Sequence, residues 1–433
     1  MDPRVAYMNQ YLENSSLEED VINRFAILGL EEEPNKRIST LPDWIFDDRG
    51  EIRSDFTLEK VVESNLLQNF ATDKLGCHFL QSRFYELSTN GMGNELRDRI
   101  CKEILEDRDT FLSLCRNTFA NFFLQRVIDV SNQNEQEFIY KYLCSDMADL
   151  CLDKSACRVI QTALERLKPE YADALVDSIP RDQQLISICT DQNANHFIQK
   201  IVKTKPFNKW SFLIDFLCKS EENNNLLMIC QDKYGCRVVQ TIVEILAIKT
   251  FGNHAEKDCL LHKLMNQILL NCHKLISDEF ANYVIQYIIS NHDVLKVYRD
   301  EIIDQYLLQN LMSMSQEKYA SHVVEQALAH APLHYLLDMM EEIFDGYLPH
   351  PETGRDALDI LIIHQFGNYV VQRLLQICCD SINGKRETIL DGVDCRDRFE
   401  IWLRKLKARA RKEKDRLTRF SSGKKILEIL RIM

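Results

Sequence analysis

Three side chains recur together at eight places in the chain and could bind a flat, polar ring. They occupy positions one, two and five of a five-residue motif: cysteine, asparagine or serine, then an aromatic residue, histidine or arginine, and then glutamine or glutamate. Amides and carboxylates exchange hydrogen bonds with polar ring edges, and flat side chains stack on ring faces. The eight sets are Cys77, His78 and Gln81; Asn121, Phe122 and Gln125; Cys157, Arg158 and Gln161; Asn195, His196 and Gln199; Cys236, Arg237 and Gln240; Asn282, Tyr283 and Gln286; Ser321, His322 and Glu325; and Asn368, Tyr369 and Gln372.

The spacing of the motif places these side chains on one face of a helix. Positions one and five are four residues apart, so they lie one above the other, and position two flanks the same face. Positions three and four are apolar in all eight copies and should face a core. A glycine or alanine precedes position one, which leaves room for a neighbouring helix or for a ligand. Six copies carry a predicted helix cap four residues before position one: Asp73, Asn117, Asp153, Asp191, Asp232 and Asp278.

The motifs are separated by 36 to 47 residues, which is the period of a helical solenoid. Glycine and proline are scarce, with 13 and 9 residues, and hairpin-rich β folds need both in their turns. The sequence therefore predicts an all-α solenoid built from eight repeats.

Several classes of protein are excluded or disfavoured. The chain has no run of 18 apolar residues, and its polar amino terminus is unlike a signal peptide, so neither a membrane span nor export is expected. Its 15 cysteines form no CxxC pair, so we expect reduced thiols, a cytoplasmic location and no metal site. Nucleotide-binding loops and hydrolase motifs are missing, so an enzyme is not expected. The net charge of −13 means that nucleic-acid binding would depend on local geometry.

The repeated motif resembles that of the PUF (Pumilio and FBF) family of sequence-specific RNA-binding proteins. The resemblance covers about residues 61–433, and LPDWIFDDRGEIR (41–53) is similar to the nematode FBF-like branch. It implies a crescent of eight three-helix repeats with terminal half-repeat caps. Residues 41–433 would then form the RNA-binding domain, and residues 1–40 would form an acidic arm or linker.

The family code agrees with the chemistry of the side chains. Asparagine with glutamine matches the donor and acceptors of uracil, serine with glutamate matches the donors of guanine, and cysteine with glutamine suits adenine. Because the family binds RNA antiparallel, the repeats from eight to one would spell U-G-U-A-U-A-U-A. A nine-base site with one unread base remains an alternative, since the repeat spacing is irregular.

The resemblance also implies partners and a biological role. The ligand would be single-stranded RNA in mRNA 3′ untranslated regions, and the protein would recruit repressors or deadenylation machinery, with germline development as one setting. No cofactor, metal or membrane is implied, and a monomer is expected. In the family, the loop between repeats seven and eight carries a partner contact, for which Tyr347 and Leu348 are the candidates.

Other interpretations remain open at this stage. A protein-binding scaffold of the HEAT or armadillo kind would need no column of flat side chains, and a PUF-like ribosome-biogenesis factor would usually carry degraded motifs. The basic run at 402–420 could contact phosphates or could be a solvated helix face. The segment FSSGKKILEIL (420–430) echoes the motif, with Lys424 and Lys425 at positions one and two, and is expected to be a half-repeat cap.

Overall fold

The computed structural model describes residues 39–89, 94–219, 224–248 and 255–431. Each of the eight repeats consists of a short leading helix, a middle helix that carries the motif, and an outer helix. A short 3-10 helix (Asp43–Ile45) and the α-helix α1 (Leu58–Glu63) precede the first repeat. In the sequence, Ser16 and Glu19 have the spacing of a helix capping box, and both lie outside the described residues.

The helices follow the same order in every repeat. The leading helices are α2 (Leu67–Thr72), α5 (Arg108–Arg116), α8 (Met147–Leu152), α11 (Gln184–Thr190), α14 (Asn225–Cys230), α17 (Cys272–Ile276), α20 (Leu311–Ser315) and α23 (Ala357–Leu361). The middle helices are α3 (Lys74–Thr89), α6 (Ala120–Asp129), α9 (Ala156–Arg166), α12 (Ala194–Thr204), α15 (Gly235–Ala247), α18 (Asn282–Ser290), α21 (Ala320–His330) and α24 (Gly367–Ile382). The outer helices are α4 (Asn94–Leu105), α7 (Gln133–Cys144), α10 (Pro169–Asp177), α13 (Phe207–Leu217), α16 (Ala255–Leu270), α19 (Lys296–Ile302), α22 (Leu333–Glu341) and α25 (Arg396–Lys412).

Short irregular elements interrupt this order near the carboxyl end. Single π turns, Ile303–Leu307 and Glu342–Gly346, extend α19 and α22. A small antiparallel hairpin, β1 (Ile389–Leu390) and β2 (Val393–Asp394), joins α24 to α25 with Leu390 opposite Val393. The fold is otherwise the predicted all-α solenoid.

The predicted caps fix where the middle helices begin. The side chain of each predicted cap accepts hydrogen bonds from the backbone N–H groups two and three residues further along, as Asp153 does from Ser155 and Ala156 at 2.8 Å each. In repeat eight the ring of His364 does the same for Phe366 and Gly367. These bonds satisfy donors that have no partner within the helix. All middle helices except that of repeat seven therefore begin against a side-chain cap.

The cap of repeat one also holds the segment that precedes it. One oxygen of Asp73 caps α3, and the other accepts hydrogen bonds from Ser39 Oγ and Thr40 N at 2.9 and 2.7 Å. Burial raises the pKa of Asp73, but these bonds and the one from Gly76 N outweigh it and hold that pKa below its ordinary value. Ser39 and Thr40, the first residues that the structure describes, are thus hydrogen-bonded to the first repeat.

The small residue before position one makes room for the leading helix of the same repeat. A Cβ atom added to Gly235 would lie 2.3 Å from the carbonyl oxygen of Ile229, the next-to-last residue of α14. The equivalent Gly76 and Gly367 have similar close neighbours. Of the two explanations that the sequence left open, the neighbouring helix accounts for these residues.

The core runs the length of the solenoid between the three layers of helices. Each middle helix packs against the middle helices of the adjacent repeats, and positions three and four are buried throughout, apart from the half-buried Phe79. At one end α1 and residues 39–57 cover the first repeat, where the rings of Phe56 and Phe70 stack at 5.7 Å. At the other end α26 (Lys414–Leu417) and α27 (Ser421–Arg431) form the expected half-repeat cap. Within the described ranges, no helix is long and apolar enough to cross a membrane.

Candidate nucleic-acid interface

The three motif positions lie at different depths on the middle helices. Position one is buried in all eight repeats, with at most 3% of its surface exposed, as for Asn121. Position five is half-buried or buried, and position two is the most exposed of the three. The motif therefore forms one continuous surface. Positions one and five form its lower, polar part, which we call the polar floor, and the side chains at position two project above it.

The asparagine at position one is fixed by the first turn of its own helix. Asn282 Nδ2 donates to the carbonyl oxygens of Asp278 and Glu279 at 2.7 and 2.9 Å. Its Oδ1 accepts a hydrogen bond of 2.5 Å from Nε2 of Gln286 at position five. Repeats two, four and eight form the same three contacts. Four repeats thus present the same pair of amides in the same orientation.

The cysteine repeats are arranged differently. The thiols of Cys157 and Cys236 donate to backbone carbonyl oxygens three residues earlier, at 3.3 and 3.4 Å. Burial raises the pKa of both thiols to about 11, so they stay protonated at neutral pH and can act as donors. In repeat three, Gln161 Nε2 is buried and has no hydrogen-bond partner. A buried donor without a partner destabilises a protein unless another group supplies a hydrogen-bond acceptor for it.

Repeat one departs from the other two cysteine repeats. The thiol of Cys77 donates to the carbonyl oxygen of Phe119 in the next repeat at 3.0 Å, and Gln81 Nε2 lies 3.3 Å from the same sulfur atom. Burial raises the pKa of this thiol to about 11 as well. The position-five amide of repeat one is thus directed back onto its own motif.

Repeat seven alone carries a carboxylate on the polar floor. Ser321 donates to the carbonyl oxygen of Lys318 at 3.3 Å, so its hydroxyl oxygen can still accept a bond. Nδ1 of His322 lies 3.4 Å from Oε1 of Glu325. An ionised carboxylate only accepts hydrogen bonds, so this repeat suits a ring edge made of donors.

The flat residues at position two stand out from this floor. Tyr283 and Tyr369 are 42% and 41% exposed, and His78 and His196 are also exposed. Phe122, Arg158, Arg237 and His322 are half-buried. Successive flat side chains along a solenoid form a ladder on which ring faces can stack.

Two residues that the motif analysis missed also touch this floor. Thr162 and Thr241 follow position five in repeats three and five, and their hydroxyl groups lie 3.1 and 3.3 Å from Oε1 of Gln125 and Gln199 in the preceding repeats. The only signal in the sequence is a threonine directly after the motif.

The two loop residues predicted to contact a protein partner have different environments. The hydroxyl of Tyr347 donates to Glu342 and accepts a 3.1 Å bond from Met312 N, so the half-buried ring is held in place. Burial, followed by the bond to Glu342, raises the pKa of this tyrosine well above its ordinary value. Leu348 is 94% exposed. The loop therefore exposes the side chain of Leu348, and the hydrogen bonds of the neighbouring Tyr347 hold this part of the loop in place.

The basic run at 402–420 is partly neutralised. Lys405 pairs with Asp345, and Arg409 pairs with Asp356 and Asp359. Lys424 and Lys425 are exposed on the half-repeat cap. A phosphate contact in this region stays a prediction. No group of side chains suited to a metal ion occurs in the part of the chain that the structure describes.

Comparison with known proteins identifies the family. The description "Pumilio-family RNA binding repeat" matches residues 68–90, 111–144, 146–179 and 184–204, and "NOP9-like PUF repeat domain" matches residues 213–383. Fem-3 mRNA-binding factor 1 of Caenorhabditis elegans is 46% identical over 406 residues, or 90% of this chain. Pumilio domain-containing protein 5 of the same organism is 41% identical over 90% of this chain and 69% of its own length.

The chain spans 65% and 63% of the lengths of fem-3 mRNA-binding factors 1 and 2. A crystal structure of PUF-6 in complex with 5BE13 RNA is also similar, with a TM-score of 0.78 and 38% identity, covering 87% of this chain and all of that one. These relatives are RNA-binding repeat proteins and not enzymes. The chain therefore belongs to the PUF family of RNA-binding proteins and lies on the nematode branch that includes the fem-3 mRNA-binding factors.

Proposed function

We propose that this protein binds single-stranded RNA with a UGUA core, one base on each repeat, and represses the mRNAs that carry this element in their 3′ untranslated regions. Repeat eight binds the 5′ base and repeat one the 3′ base. The domain at 41–433 performs the recognition, and the acidic arm at 1–40 lies outside it. Recruitment of repressor or deadenylase proteins, with Leu348 as one contact, belongs to the same proposal.

The match between the side chains of repeats six to eight and the UGU sequence carries the proposal. In repeats eight and six, an asparagine oxygen and a glutamine amide leave one donor and one acceptor for a base, as the edge of uracil requires. Between them, Glu325 presents an acceptor to the N1–H and N2–H₂ donors of guanine. A solenoid with only protein partners would have no need for this alternation.

The buried, unpartnered amide of Gln161 is a second observation in favour of a ligand. Native proteins rarely leave a buried donor without a partner, because its desolvation costs about 1–3 kcal/mol. A base acceptor at repeat three would satisfy it. Adenine, which has ring-nitrogen acceptors, suits this place, and repeat three would bind the sixth base of U-G-U-A-U-A-U-A.

Competition binding tests the proposal directly. The purified chain should bind a fluorescent UGUAUAUA oligomer, and an unlabelled oligomer in which UGU is changed to ACA should fail to compete. Nine-base oligomers with one inserted base after UGUA establish the register. Equal competition by both sequences would favour the protein-binding scaffold instead.

Glu325→Gln tests the guanine assignment. The substitution keeps the shape of the side chain but adds donors that face the donors of guanine, so the preference for guanine over adenine at the second base should fall about tenfold or more. Gln240→Glu, in repeat five, is the matched control and should leave the second base unaffected. If E325Q kept the wild-type preference for guanine, Glu325 would not be the residue that recognises guanine.

A further inference from the structure

The residue after position five, which we call position six, reaches across to the preceding repeat. In repeats three and five it is Thr162 and Thr241, whose hydroxyl groups lie 3.1 and 3.3 Å from the position-five amides of repeats two and four. In repeat four it is Lys200, whose Nζ lies 2.6 Å from Oε1 of Glu165, four residues beyond position five of repeat three. A long side chain at position six can therefore bridge two neighbouring repeats beside the polar floor.

Arg373 occupies position six in repeat eight and has no such partner. The residue of repeat seven that corresponds to Glu165 is Ala329, whose side chain offers no acceptor. Within the described ranges, the half-buried guanidinium of Arg373 forms no hydrogen bond or ion pair, and its Nε atom is fully buried. A partly desolvated cation without a partner costs free energy that pairing with an anion would offset.

The other two cations at position six already have partners. Arg126 lies 3.6 Å from Asp129, and Lys200 is paired with Glu165 as described above. Of the three cations at position six, all of which lie in the described ranges, Arg373 alone has no carboxylate beside it. The two ends of the solenoid therefore differ in the charge that they present next to the polar floor.

Other basic side chains surround Arg373. Arg386 donates to the carbonyl oxygen of Leu328 at 3.2 Å, near the end of α21. Burial, followed by the charges of four basic neighbours, lowers the pKa of His330 to about 4, so this histidine is neutral at neutral pH. The four neighbours are His292, Arg373, Arg386 and Arg299.

The nearby acceptors are taken by the other arginines. Asp300 forms a 2.8 Å ion pair with Arg299, and Asp380 favours the charged form of Arg386, although burial still holds the pKa of Arg386 below its ordinary value. The carbonyl oxygens at the end of α21 accept hydrogen bonds from Arg299 and Arg386, at 3.4 and 3.2 Å. Arg373 is thus the arginine of this group that a bound anion would pair with.

The position of Arg373 indicates which anion this is. Positions two and six are four residues apart, so Arg373 lies one turn beyond Tyr369, the flat side chain of repeat eight, on the same side of α24. If repeat eight binds the first base and repeat seven the second, the phosphate that joins these two nucleotides crosses between the same two repeats. We infer that Arg373 binds this RNA phosphate, an inference that rests on the proposed function.

Oligomers of UGUAUAUA that each carry one uncharged methylphosphonate linkage test the inference. Each is compared with an oligomer that has the same 2′-O-methyl ribose at that nucleotide and an ordinary phosphate. The full chain should lose about tenfold in affinity when the first linkage is neutral, as expected for one charged hydrogen bond. Arg373→Gln should bind the ordinary oligomer about tenfold more weakly and should lose nothing further when the first linkage is neutral.

Salt dependence and two control variants sharpen the test. R373Q should reduce the slope of log affinity against log salt by about 0.7, the value for one phosphate on a single strand, and should keep the preference for UGU. Lys200→Gln removes the same charge at position six of repeat four and should keep the full effect of the neutral first linkage. Arg373→Lys, which keeps the charge, should retain most of the salt slope. Thermal unfolding of each variant verifies the fold.

Three results would overturn the inference. In the first, R373Q binds every oligomer with wild-type affinity. In the second, R373Q loses the same factor whether the first linkage is charged or neutral, which would indicate a purely structural role. In the third, R373Q becomes insensitive to a different linkage. A wild-type chain that still requires UGU would leave the proposed function intact in all three cases, whereas failure of the wild-type chain to prefer UGU would overturn both.

Discussion

The asparagine repeats and the cysteine repeats carry two different kinds of polar floor on equivalent middle helices. In repeats two, four, six and eight, the amides of positions one and five bond to each other and to the backbone before any ligand is present. In repeat three, the thiol of Cys157 is bonded to the backbone, and the amide of Gln161 has no partner. The asparagine repeats are pre-organised for a base, whereas repeat three retains an unmet donor that a base would satisfy.

The difference shows how one scaffold can hold several specificities. Positions three and four, the caps and the small residue before position one are the same in both classes and set the position of the helix. An asparagine at position one bonds to the glutamine at position five in all four of its repeats, whereas the cysteine of repeat three leaves that glutamine without a partner. Specificity can therefore change from repeat to repeat without any change in the core.

Asn282→Cys should convert repeat six from one class to the other. It removes the asparagine oxygen that holds Gln286, so the preferred third base should change from uracil to adenine, with a swing of about tenfold to a hundredfold in relative affinity. Competition between UGUAUAUA and UGAAUAUA measures the swing. Cys236→Asn makes the reverse change in repeat five at the fourth base, and neither variant should affect the base of the other. If both variants kept the wild-type preferences, position one would not define the classes.

Tyr283→Ala should weaken binding without altering which base is preferred. Stacking contributes about 1–3 kcal/mol per base and is insensitive to the identity of the base. Affinity for UGUAUAUA and for a variant with a changed third base should fall by the same factor, about tenfold, in fluorescence anisotropy. Tyr283→Phe, which keeps the ring, is the control. A change in base preference in Y283A would mean that position two takes part in edge recognition.

Gln161→Leu should lower RNA affinity without lowering the thermal stability of the free protein. Removing a buried donor that has no partner should leave the thermal unfolding midpoint of the free protein unchanged or slightly raised. Affinity for UGUAUAUA should still fall severalfold, since the base loses its donor. Gln125→Leu, in a repeat whose amides are already paired, should lower the unfolding midpoint instead. A lower midpoint in Q161L would show that Gln161 contributes to the stability of the free fold.

Much of the architecture could be predicted from the sequence, because it depends on short-range rules. The helix spacing of Asn282 and Gln286, the cap at Asp278 and the apolar pair Val284 and Ile285 are all visible within nine residues. The repeat number follows from repetition of that segment, and the structure shows all eight repeats and the half-repeat cap at the carboxyl end. The comparisons confirm the family.

The remaining features depend on contacts between distant residues. Position one is buried in all eight repeats, and the spacing of polar residues does not indicate this. In four of them an asparagine is tolerated there because its amide bonds to carbonyl oxygens of its own helix start. The contact of Thr241 with Gln199 joins residues 42 apart. The hairpin at 389–394 and the fixed ring of Tyr347 likewise depend on packing against repeat seven. The roles assigned to the motif residues stay predictions until RNA binding is measured.

Selection from a random RNA pool, followed by sequencing of the bound fraction, tests the central claim most directly. The alternating floors of repeats eight to five predict enrichment of UGUA, followed either by a contiguous UAUA or by the same bases displaced by one nucleotide. Enrichment of no motif, or of one without UGU, would contradict the account and favour a protein-binding scaffold.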